Sequence, residues 1–85
     1  MEVEEKELEK VRDALIRKYG SVEISSVQRI SPVTVFGKRA EYALDCNFRR
    51  KNDLIPRKEV LYSFKGKLYF YKEVLYWDKL FGSNH

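Results

Sequence analysis

An α+β fold, with an N-terminal helix packed on a four-stranded antiparallel sheet in an α-β-β-β-β meander, is what this sequence predicts. Three observations predict it. Apolar residues near the N-terminus recur at three- and four-residue steps, the period changes to two after Gly20, and the strand-like stretches are joined by connections short enough for antiparallel neighbours. The whole chain, 1–85, reads as one domain, with 82–85 as a tail or a cloning remnant.

Leu8, Val11, Leu15 and Tyr19 mark one apolar face of a helix from about Glu4 to Lys18. Acidic residues crowd its start, Arg17 and Lys18 close it, and Gly20 supplies the stop. In the first strand Val22 and Ile24 alternate, and Ser25-Ser26 then delays Val27 by one residue, which predicts a bulge. "SPVTVFGK", with Pro32 and Gly37, reads as a loop or hairpin connection. The second strand alternates most cleanly: Ala40, Tyr42, Leu44, Cys46 and Phe48 take the inward face, and Glu41, Ala43, Asp45, Asn47 and Arg49 the other. The third spans Arg57 to Phe64, after Pro56, and "FKGK" turns on Gly66 into the fourth. The final "WDKLFGSNH" reads as a last turn of helix.

The fourth strand poses the functional question. Read as extended chain, "KGKLYFYKEVLYW" (65–77) sends Leu68 and Phe70 inward toward the helix and Tyr69 and Tyr71 outward, so both faces carry apolar bulk. Leu61, Tyr69, Tyr71 and Leu75 are the candidate outer face. Three readings compete for its cover: a second copy stacked sheet to sheet as a homodimer, a single-stranded nucleic acid stacked on the tyrosines with lysines on its phosphates, or Trp77, Leu80 and Phe81 folded back as a lid.

Charge is uneven. Residues 1–20 sum to −1 and residues 21–85 to +5, within a total of +4. The densest basic stretch, "FRRKNDLIPRK", sets Arg49, Arg50, Lys51, Arg57 and Lys58 against Asp53 alone; these five are the candidate phosphate-binding residues, and an acidic protein surface is the other partner they fit. Catalytic chemistry is poorly supplied: the one histidine is His85, Cys46 sits mid-strand as a small inward hydrophobe, and Asp45 with Glu41 or Glu73 is the nearest approach to an acid–base pair. No carboxylate spacing suits a metal, and no glycine pattern cradles a phosphate. The expectation is a small non-enzymatic binding or assembly module, homodimeric through the sheet face opposite the helix, with a basic single-stranded nucleic-acid-binding protein as the alternative, and without catalytic residues, metal or cofactor. A single cysteine, apolar runs too short to cross a bilayer and an acidic start unlike a secretory leader point to the cytoplasm and to no membrane partner. Abundant Lys, Glu and Tyr beside scarce Gln, Met and His match thermophile composition.

Two family resemblances accompany this reading. "VTVFGKRAEYALDCNF" is similar to the first hairpin of the cystatins, with Val35 and Gly37 matching that family's loop and Val33 at its glutamine position. The resemblance implies a helix on a curved antiparallel sheet and, as a function, protease inhibition. "FKGKLYFYKEVLYWDKLFG" resembles the closing strand of nuclear-transport-factor-2-like proteins at Phe64, Gly66, Lys67, Leu68, Asp78 and Gly82, and implies a dimer stacked through its sheets.

Overall fold

The structure, a computed structural model, describes residues 3–80, with side chains through Trp77. Phe81 and the expected tail at 82–85 lie outside the described residues, as does the Leu80 side chain.

Helix α1 (Glu5–Tyr19) lies on a sheet of order β1-β4-β5-β6, formed by β1 (Val22–Ile30), β4 (Tyr42–Arg50), β5 (Arg57–Phe64) and β6 (Lys67–Phe70). All pairings are antiparallel. The short hairpin of β2 (Val33–Val35) and β3 (Lys38–Ala40) interrupts the meander between β1 and β4, and a second helix, α2 (Tyr71–Leu80), ends it. The predicted architecture is therefore present, extended by a hairpin and a helix.

Local chemistry sets the boundaries. Glu5 and Glu7 lie in the first turn of α1 and Arg17 and Lys18 in the last, each complementing the helix dipole. Gly20, at φ 85°, returns its N–H to the Ile16 carbonyl at 2.8 Å. The register of β1 against β4 slips between Ile24 and Ser26, which is the bulge expected at Ser25-Ser26. Both two-residue hairpins, Phe36–Gly37 and Lys65–Gly66, have positive φ at both central residues, the sign pattern of a type I′ turn that matches strand twist.

One core cluster fills the space between α1 and the sheet. Val11, Ala14 and Leu15 from the helix meet Leu44, Cys46 and Phe48 from β4, Leu61 from β5 and Phe70 from β6. Polar ties fasten the helix over it: the Tyr42 hydroxyl donates to Glu7 at 2.6 Å, the Tyr19 hydroxyl donates to Glu59, and the Lys18 ammonium lies 3.6 Å from Glu59 and 4.3 Å from the Phe70 ring centre.

The register corrects one sequence expectation. Leu61 stands opposite Leu44 on one side and Phe70 on the other, so it must share their face, and it is fully buried beneath α1. It does not belong to the outer face; Val60, Tyr62 and Phe64 of β5 point there instead. A second correction concerns "KGKLYFYKEVLYW": the extended chain stops at Phe70, and Tyr71 and Leu75 belong to α2. The Glu73 carboxylate accepts the Phe70 N–H at 2.6 Å, half of a capping box, and this starts the helix at Tyr71. Two-sided apolar bulk is thus the mark of a strand that turns into a helix and doubles back.

Candidate nucleic-acid interface

The turn Lys65–Gly66 pairs Phe64 with Lys67, and the next row out pairs Tyr62 with Tyr69, so Phe64 and Tyr69 are diagonal neighbours on the outer face. Their ring centres lie 6.1 Å apart. Helix α2 packs back against β5 and β6 and sets Trp77 over both, edge-on to Tyr69 at 4.2 Å and to Phe64 at 6.0 Å. Val74, one turn before Trp77, is fully buried. Trp77 therefore folds back as a lid on the β5–β6 end of this face. The half left open toward β1 is mainly polar, with Gln28, Asp45, Asn47 and Lys58 around Val60.

The three rings line a cleft of about 430 Å³, completed by Arg39, Glu41, Lys65 and Lys67. That size admits a small planar ligand. Glu41 fastens its floor: its carboxylate accepts from the buried Ser63 hydroxyl at 3.0 Å and from the Gly66 N–H at 3.4 Å, while its own N–H donates to the Ser63 carbonyl at 2.9 Å. Arg39, Lys65 and Lys67 have no ion-pair partner among the described residues. A second cleft, lined in part by Lys10, Asp13, Arg17 and Glu73, adjoins the first at Lys67 and Tyr69. There the Lys10 ammonium donates to the Gly66 carbonyl at 3.2 Å, and Glu73 is held by the Phe70 N–H. The two clefts form a basic path across the β5–β6 turn, with aromatic rings on one side.

The predicted phosphate-binding residues occupy the opposite end of the sheet. Arg57 and Phe64 bound the same strand seven steps apart, about 24 Å at extended rise. Three of the five cations are already engaged. Asp53 accepts from the Arg50 N–H at 2.9 Å and from the guanidinium groups of Arg50, at 3.2 Å, and Arg57, at 3.1 Å; Lys58 stands 4.0 Å from Asp45. The Arg50 hydrogen bonds, foremost, hold the Asp53 carboxyl down at about 2. Arg49 and Lys51 have no ion-pair partner among the described residues.

The predicted outer face does not assemble as one patch. Leu61 is in the core, Tyr69 lies under Trp77, and Tyr71, about half exposed, meets the Phe36 ring at 5.1 Å from the surface of α2 beside half-buried Leu75. Sequence reasoning named Trp77 only as a lid and passed over Phe64 and Arg39 as cleft residues, because their convergence depends on where α2 turns.

The proposed acid–base residues have other partners: Asp45 has Lys58, Glu41 has Ser63 and Gly66, and Glu73 has Phe70. Cys46 is fully buried, with its thiol 3.6 Å from the Leu44 carbonyl, and desolvation first, then the charges of Asp45 and Glu59, pushes its pKa up to about 12. Among the described residues no group of three or more potential ligands would hold a metal, and no helix is long and apolar enough to cross a membrane. Comparison with family models, with curated proteins and with solved structures returned no match for this chain.

Proposed function

We propose that this chain is a non-enzymatic binding module that takes single-stranded nucleic acid across the β5–β6 turn. The observation that carries the reading is the triangle of Phe64, Tyr69 and Trp77, with centroids 4.2–6.1 Å apart, rimmed by Arg39, Lys65 and Lys67. Every base has a π-face, so an aromatic cleft accepts unpaired bases without demanding a sequence, and each stacked base contributes about 1–3 kcal/mol. Rim cations meet the phosphates on either side of the base. Duplex DNA keeps its bases stacked internally and has nothing to offer such a cleft.

Trp77 is the chain's only tryptophan, so its fluorescence reports on the cleft directly. Titration with oligothymidylate at low salt is expected to quench it, and the affinity is expected to fall with salt at a slope of about −2, from three phosphate contacts at roughly 0.7 each. By anisotropy of a labelled oligonucleotide, Trp77→Ala is expected to weaken binding roughly 5–150-fold, the equivalent of one lost stack. An absence of binding at low salt, or a variant that binds as the native chain does, defeats the reading.

Assembly of two copies is the second reading. What favours it is the pair Tyr71 and Tyr76, 49% and 61% exposed on α2 and flanking Leu75. Sedimentation at several concentrations tests it, and a monomer throughout removes it.

A further inference from the structure

We propose that the loop between β4 and β5 is a docking tip for an anionic lipid surface. At this tip Leu54 is 92% exposed and Ile55 73% exposed. They are consecutive, they are the two most exposed large apolar residues of the described chain, and no other element of the described fold covers them. Two bare aliphatic side chains side by side are unfavourable in water and call for a cover outside the fold.

The loop presents them on a fixed base. Asp53, the residue before Leu54, joins both flanks of the connection: its carboxylate takes the Arg50 N–H and guanidinium on the β4 side and the Arg57 guanidinium on the β5 side, and its own N–H donates to the Arg50 carbonyl at 3.1 Å. Pro56 then restricts the backbone on the far side of the pair. Asp53 turns inward between Arg50 and Arg57, one carboxylate against two guanidinium groups, and Arg49 and Lys51 beside them have no ion-pair partner among the described residues, so the base of the tip carries net positive charge.

Charge and shape together select the occupant. An apolar tip on a base of net positive charge complements a surface that is anionic at the headgroups and apolar just beneath them. The two residues also form a projection rather than a groove, which suits a flat, yielding layer better than a peptide, since a peptide needs a trough to lie in. The sequence argued against a membrane partner from the lack of a spanning segment, and that lack concerns crossing a bilayer, not resting on its surface. The tip shares no residue with the aromatic cleft, so this inference is independent of the nucleic-acid reading.

Co-sedimentation of the full chain with phosphatidylcholine vesicles, with and without phosphatidylserine, is the test. The native chain is expected to pellet with the anionic vesicles and to stay in solution with the neutral ones. Leu54→Ser with Ile55→Ser is expected to weaken anionic-vesicle binding at least about tenfold. Arg49→Gln with Lys51→Gln is expected to weaken it and to reduce its sensitivity to salt. All four positions are at the surface, and circular dichroism confirms the fold of each variant. No pelleting by the native chain overturns the proposal and leaves an acidic protein pocket as the occupant the tip fits. Undiminished binding by the Ser double variant also overturns it, because the cations alone would then account for adsorption.

Discussion

Leu61→Ala tests the fold where sequence and structure part. Leu61 is fully buried on a central strand, between Leu44 and Phe70 in adjacent strands and beneath Val11, Ala14 and Leu15 of α1. Truncation removes three carbons, worth about 2.4 kcal/mol at 0.8 kcal/mol each. The cavity adds to this, because hydrogen-bonded strands on both sides keep the backbone from closing around the gap; the expected loss is about 3–4 kcal/mol, inside the range measured for buried leucines. Against roughly 4–13 kcal/mol of total stability for 85 residues, that is a large fraction. Urea denaturation followed by circular dichroism should show a lower midpoint at unchanged slope, and thermal melting a fall of roughly 12–30 °C. Val60→Ala, on the outer face of the same strand, is the control and should lose far less. A loss at Leu61 below about 0.5 kcal/mol would refute the register, since surface changes fall in that range.

Two further predictions concern titratable groups. The folded-state pKa of Asp53 lies near 2, below the ordinary 3.8, so the unfolded chain binds the extra proton first as pH falls; the stabilisation is present above about pH 4, is lost toward pH 2, and should disappear from the acid-denaturation profile of Asp53→Asn. Cys46 should resist thiol reagents in the folded state and react at a rate that follows unfolding, as its burial and a pKa near 12 require; rapid labelling of native protein at neutral pH would contradict its place in the core.

What was legible in the sequence follows from which signals are local. Helix α1 announced itself because its dipole-matching charges, apolar stripe and terminal glycine all lie within one short segment. The bulge in β1 was legible because a phase slip in alternation has few other causes. The inward face of β4 came through for a similar reason: Tyr42, Leu44, Cys46 and Phe48 are all more apolar than the residues between them, Ala43 excepted. In β5, by contrast, Val60, Tyr62 and Phe64 are as apolar as Leu61 and Ser63, so alternation gave no direction; only the pairing of Leu61 with Phe70 across the hairpin decides it. The start of α2 was hidden because its capping position holds Phe70, where serine or threonine would have signalled a helix, and because Tyr and Phe favour strands.

The hidden helix is also why the predicted outer face does not assemble. As a strand, 65–77 leaves Tyr69, Tyr71 and Leu75 in a row, which suggests a flat apolar sheet waiting for a second sheet. As strand then helix, the same residues separate: Tyr69 stays on the sheet, Tyr71 moves to the helix surface, and Trp77 returns over Tyr69 and Phe64. A flat surface becomes a cleft, and its neighbours become the turn lysines Lys65 and Lys67 rather than the basic run at 49–58. The two cationic regions then lie at opposite ends of β5 with different apolar companions, rings at one end and bare aliphatics at the other. Rings stack on bases, whereas exposed leucine and isoleucine only escape water. If both proposals hold, one chain with both ends intact holds two unlike anionic partners at once, and variants at either end should leave the other's binding unchanged.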